Sequence, residues 1–139
     1  MNNDRLKFRV WDTENECYQQ NDADETFIRH NGNLTCVFWG DCDTMQTEYV
    51  EQEKAVIEFC TGLKDHNGNL VFEGDIIAWG DMCLREVLWD DERAKFVMKQ
   101  YSYNEKGEYT GTGVLESLFE RTISFSEIVG HIHKGILRK

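Results

Sequence analysis

His131 and His133, in the run "GHIH", are the side chains of this sequence best suited to hold a reactive centre. Residues two apart on a β-strand share a face, so two imidazoles at this spacing lie near enough to bind one metal ion. A third ligand has to come from elsewhere in the chain, and Cys60, His66 and Cys83 are the available side chains. A metal-dependent enzyme would follow from such a set. The same spacing arises on any polar strand face, and that plainer reading is preferred.

Carboxylates concentrate in "GDCD" (40–43) and "WDDER" (89–93), a composition that suits Ca²⁺ or Mg²⁺. Neither run has the ligand order or the glycine of an EF-hand loop, and both fall where turns are expected, so solvated turns are the reading. Nothing near Cys36, Cys42 or Cys83 supplies both a base and an electropositive setting for a nucleophile. Asp75 stands beside Gly74 without a partner base. No Walker loop, GxGxxG or GxSxG occurs. Catalysis is therefore the lesser expectation, and no cofactor is expected.

Binding remains. Trp39, Trp79 and Trp89 each end an expected strand next to Gly-Asp or Asp-Asp. They either line an exposed rim, as a candidate binding surface, or close the core; burial is the preferred outcome for such side chains. With 26 acidic against 15 basic residues the formal charge is -11, which repels phosphate backbones and argues against direct nucleic-acid binding. A basic protein surface is the easier partner, homo-oligomerisation is the other option, and an acidic mimic of nucleic acid acting on a basic host protein is an alternative.

The elements around these residues read as β. "RLKFRV" alternates Leu6, Phe8 and Val10 with basic residues, the period of a half-buried strand, and "WDTENECY" supplies a turn into a second short strand. "HNGNL" occurs twice, at 30–34 and 66–70, each time between β-rich runs. Asn-Gly is a strong hairpin signal, because a type I′ turn needs positive φ at both central residues. The flanks diverge within a few positions, so the repeat is a turn used twice rather than a duplicated domain. "DIIAW", "CLREVLW" and "AKFVMKQYSY" are spaced like strands of a small barrel or meander. "NEKGEYTGTG" reads as a polar loop, "VLESLFERTISF" as one short helix carrying Leu115, Leu118 and Phe119, Ser124 to Glu127 as a turn or cap, and "IVGHIHKGIL" as a strand returning to the core.

Chain length fits one ordinary domain or two very small parts sharing a core, and the zero prolines leave the turning to eleven glycines. Acidic, aliphatic-poor "GDCDTMQTEYVEQEK" (40–54) is the place for any boundary, which gives an N-terminal part over 1–58 and a second part over 59–139. A polar N-terminus without a signal-peptide core, and no membrane-length apolar run, point to a soluble intracellular protein. The five cysteines lack CxxC spacing and read as reduced thiols, mostly small buried apolar residues.

"FCTGLKDHNGNLVFEGDIIAW" (59–79) resembles the signature of the YopX family of phages and prophages, matching it at Thr61, Gly62, Leu63, Lys64, Asp65, Asn67, Gly68, Glu73, Gly74, Asp75 and Ile76. "KFRVWDTENECY" (7–18) and "EIVGHIHKGIL" (127–137) resemble the family's opening and closing blocks. His131 and His133 stand where Asn and Tyr are common, and 40–54 has no clear counterpart. The resemblance implies a mainly β fold: an SH3-like β-barrel in the C-terminal part, an N-terminal β-rich part, and at most one or two short helices. It implies no activity, and it places the protein in the cytoplasm of a bacterial host cell. Thr61, Gly62, Leu63, Asp65, Asn67, Gly68, Gly74 and Asp75 read as fold-setting residues. The expected function is that of a phage-type accessory protein, a non-enzymatic module that binds another protein or assembles with itself.

Overall fold

"DIIAW" is apolar at consecutive positions, which a strand tolerates only when both of its faces are covered. In the structure, a computed structural model that describes residues 3–19, 25–39, 45–49, 54–80, 83–103, 106 and 109–136, this segment is a central strand. The described strands are β1 (Phe8–Asp12), β2 (Cys17–Tyr18), β3 (Glu25–Ile28), β4 (Leu34–Trp39), β5 (Met45–Tyr49), β6 (Ala55–Lys64), β7 (Leu70–Phe72), β8 (Asp75–Trp79), β9 (Cys83–Asp90), β10 (Lys95–Tyr103), β11 (Tyr109–Ser117), β12 (Glu127–His131) and β13 (Gly135–Ile136). A 3₁₀ turn (Asp4–Leu6) and a single short helix, α1 (Glu120–Ser124), complete the elements among the described residues. The fold is mainly β, as the sequence implies.

Two compact units form, one from Met1–Phe8 with Glu58–Lys139 and one from Arg9–Ile57. In the first, an antiparallel sheet runs in the order β11-β10-β9-β8-β12-β13 and curls into a half-barrel. Ile77 on one face of β8 packs with Val71, Val87, Met98 and Ile123, while Ile76 and Ala78 on the other face pack with Val129. The second unit holds the β1–β2 hairpin and the sheet β3-β4-β5, with buried Trp11 edge-on to Tyr18 at 5.0 Å between ring centroids.

Both copies of HNGNL are turns of one design, one in each unit. In each, a central glycine has positive φ, +87° at Gly32 and +81° at Gly68, while the preceding Asn31 and Asn67 do not. Gly68 N–H donates to Asp65 O at 3.1 Å and Asp65 N–H to Asn69 O at 2.9 Å. Gly32 and Arg29 repeat the pattern with Arg29 O and Asn33 O. This is a three-residue loop in which the glycine alone takes the left-handed position, not the two-residue type I′ turn that Asn-Gly suggests. An added Cβ meets nothing within 4 Å at either glycine, so backbone strain is the whole penalty. Gly68→Val and Gly32→Val are each expected to cost about 1–2 kcal/mol, checked by urea unfolding.

Asp12 and Asp90 open two further turns that resemble each other. Asp90 Oδ1 accepts the N–H groups of Glu92 and Arg93, and its Oδ2 accepts from Arg93 Nη1 at 2.8 Å. The Arg93 side chain holds the Asp90 carboxyl below its usual range. "WDDER" is thus a self-capped turn, as the solvated reading has it. Residues 40–44, which contain "GDCD" and Cys42, lie outside the described residues.

Several expectations are corrected. Leu6 is 76% exposed in the 3₁₀ turn instead of extending β1. "YTGTG" is strand, because β11 pairs with β10 from Tyr109↔Tyr103 onward. The helix starts five residues beyond Leu115, which belongs to β11, and Ile123 anchors it in the core while Phe119 is exposed. Ser124 and Ser126 do form a cap, their hydroxyls donating to Arg121 O and Thr122 O. "GHIHKGIL" splits at 132–134 into β12, a turn and β13. Cys60 is buried, but Cys17 and Cys83 are exposed.

Candidate functional site

On β6 successive side chains alternate, so Glu58 is turned inward and Phe59 outward. Gly62 (φ +82°) interrupts the strand with a register shift between Cys60 and Lys64, and Thr61 Oγ1 fastens the bulge to Val71 O at 2.8 Å. Next, the hairpin loop is clamped by Asp65: Oδ1 accepts the N–H groups of Asn67 (3.0 Å) and Asn69 (2.9 Å), and Oδ2 accepts that of Ile128 (3.1 Å) at the start of β12. His66 N–H donates to Ser126 O, so the loop docks on the entry to β12 at two points.

The turn "EGD" then sorts its three residues. Asp75 is buried, and its Oδ2 accepts Phe72 N–H at 2.8 Å. Gly74 has φ +89°, and a Cβ there would stand 2.7 Å from Glu58 Oε1, so the bare glycine makes room for a buried carboxylate. Glu73 Oε1 accepts Phe59 N–H at 2.8 Å.

Two groups of side chains result. Inward, Glu58, only 2% exposed, meets His133 Nε2 at 2.5 Å, and the His131 and His133 rings lie 5.7 Å apart between centroids. The histidines do come together, but not as neighbours on one strand face: β12 ends at His131, whose cross-strand partner is Asp75, and His133 sits in the following turn. The proposed third ligands do not complete a centre: Cys60 is buried with its thiol pushed up by burial, His66 and Cys83 are exposed, and no group of three metal-ligating side chains gathers among the described residues. Glu58 was not legible as part of this cluster, its one signal being an acid inside the otherwise apolar run "AVIEFC".

Outward, Phe59 and Glu73 join Arg5, Trp89 and Phe96 around a cleft of about 380 Å³. Trp89 stands edge-on to Phe96 at 5.0 Å, Phe8 flanks Phe59 at 6.3 Å, and the Arg5 guanidinium lies 5.2 Å from the centre of the Phe96 ring. Phe59 is 40% and Trp89 39% exposed. The lining is three aromatic side chains with one cation, Arg5, and one carboxylate, Glu73. Trp79 is also exposed, at 52%, yet it pairs with Cys83 at the far end of β9 from Trp89. At the rise of a strand the backbone positions of Cys83 and Trp89 are about 20 Å apart, so Trp79 and Trp89 stand at opposite ends of β9. Trp39 ends β4, and its side chain lies outside the described part of the structure.

Residues 7–134 match the sequence family described as YopX protein. The chain belongs to the YopX family. Its fold is similar to that of the YopX protein of Bacillus subtilis, at 17% identity and a TM-score of 0.53, covering 94% of this chain and 95% of that one. It is also similar to protein EF1440 of Enterococcus faecalis, at 22% identity and a TM-score of 0.50, covering 92% and 93% of the two chains. No curated protein matches the sequence. Within the YopX signature the roles now divide: Thr61, Gly62, Asp65, Gly68, Gly74 and Asp75 shape backbone, Leu63 packs against the core, and Glu73 reaches the cleft.

Proposed function

We propose that this YopX-family chain is a phage-type accessory protein that works in a bacterial cytoplasm by binding another protein through the Phe59–Trp89–Phe96 cleft, and not by catalysis. An SH3-like scaffold, as the family resemblance implies, suits that role, since small barrels present aromatic clefts between strands and loops. The observation that carries the reading is the cleft itself, where aromatic side chains are held partly exposed instead of completing the core. Aromatic residues so placed are the ones that dominate binding energy at protein interfaces. The charge of -11 opposes association with a second copy and favours a basic partner. Among the described residues no helix is long and apolar enough to cross a membrane.

Affinity capture from bacterial extract with three forms of the protein tests this. A partner held by the wild type is expected to bind Trp89→Ala at least about 30-fold more weakly, the loss typical of an aromatic hot spot. It should bind Trp79→Ala unchanged, because that indole lies away from the cleft. Equal retention by all three forms would remove the cleft from the reaction with partners.

A further inference from the structure

The cleft already shows which side chain it accepts. Arg5 reaches it from the 3₁₀ turn, laying its aliphatic stem on Gly62, where an added Cβ would stand 2.7 Å from Arg5 Cγ and 2.9 Å from Cδ. Its guanidinium continues over the face of Phe96, and Nη1 donates to Cys60 O at 3.2 Å. Three features therefore receive one arginine: a glycine that clears space for the stem, a ring for the planar cation, and a carbonyl for an N–H. The fit is specific in kind, since a guanidinium stacks and hydrogen-bonds in one plane where an ammonium cannot.

The segment that delivers Arg5 is lightly held. Its 3₁₀ turn has no buried residue, Leu6 points to solvent, and Lys7 Nζ pairs with Asp4 Oδ1 inside the segment itself at 2.8 Å. A backbone tie runs from Cys60 N–H to Lys7 O at 2.9 Å. Around the cleft, Glu73 lines the wall, and Asp91 and Glu92 are exposed in the turn that follows Trp89. An exposed cation–π contact is weak enough to be exchanged, and the chain's charge of -11 favours an incoming basic segment.

From this we infer that the cleft is an arginine-reading site: it takes an arginine side chain from a basic segment of a partner protein, and Arg5 is the internal occupant that the partner displaces. This rests on the cleft being the binding face, as proposed above.

The probe is a synthetic capped peptide copying Asn3–Phe8 of the chain, together with the same peptide carrying Arg5→Ala. Each is titrated by fluorescence anisotropy against the full-length wild type, Arg5→Ala and Arg5→Met, whose circular dichroism and unfolding midpoints confirm the fold. Arg5→Met retains an apolar stem on Gly62 and vacates only the ring and the carbonyl, so it keeps the test valid should Arg5→Ala loosen the unit. The arginine peptide is expected to bind Arg5→Ala at least ten-fold more tightly than the wild type and Arg5→Met more tightly by a smaller factor, and the peptide lacking arginine to show no such gain. Equal binding to wild type and variants, or equal binding of the two peptides, overturns the inference. If either occurs while Trp89→Ala still loses the partner from extract, the arginine site is wrong and the cleft stands. If Trp89→Ala has no effect either, both fail.

Discussion

Asp65→Ala is expected to destabilise the unit containing the YopX signature by about 3–5 kcal/mol, because it removes the acceptor from three backbone N–H groups at once, each worth about 1–3 kcal/mol when left without a partner. The residue is buried, so water does not replace the lost carboxylate fully. Asp65→Asn separates the two halves of its task. The amide oxygen still serves Asn67 and Asn69, but an NH₂ then faces the N–H of Ile128, and about half of the loss is expected to remain. Urea unfolding of both variants measures the difference, and the ordering Ala worse than Asn worse than wild type is the expected result.

Gly74→Ala is expected to cost about 3–4 kcal/mol, of which about 1–2 is the left-handed backbone and the rest the displacement of a buried, paired carboxylate. The new methyl would lie 2.7 Å from Glu58 Oε1 and 2.9 Å from its Cδ. Glu58 has little room to retreat, being buried and held by His133. Gly68→Val provides the comparison, since it has a similar φ and open space around the added carbon. The clash also makes a coupling prediction. In Glu58→Ala the obstacle is gone, so adding Gly74→Ala should cost only the backbone strain, and the double variant should be less unstable than the sum of the two singles.

The turn-forming glycines and the loop-capping part of Asp65 were legible in the sequence because each acts over a few residues. Gly32 and Gly68 mark the turns, Asp65 caps one of them, and the apolar "DIIAW" marks the central strand. What the local pattern misjudged was turn type: Asn-Gly fits a two-residue loop as well as the three-residue one formed here, and the choice is made by the register of β6 against β7. Strand alternation did not single out Glu58, since an acid in a strand reads as facing solvent; its inward place depends on His133 and on the bare Gly74, both distant in the chain.

The cleft was only partly legible for a different reason. Trp89 could be named as a candidate binding residue, although burial was the preferred reading and the structure leaves it 39% exposed; Arg5, Phe59, Glu73 and Phe96 are far apart in the chain and are gathered by sheet topology alone. Trp79 matched Trp89 in every local respect, as a tryptophan ending a strand beside an acidic turn, and the structure puts it at the other end of β9. Similarly, the two histidines were found by spacing, whereas their partner Glu58 lies 75 residues away along the chain.

Site-specific photo-cross-linking in bacterial cells tests the central claim most directly. Benzoylphenylalanine is placed singly at Phe59, Trp89 or Trp79 of the full-length protein, and covalent adducts are resolved after irradiation. Binding through the cleft predicts a common adduct from positions 59 and 89 and none from 79. Adducts from 79 alone, or equally from all three positions, would contradict it.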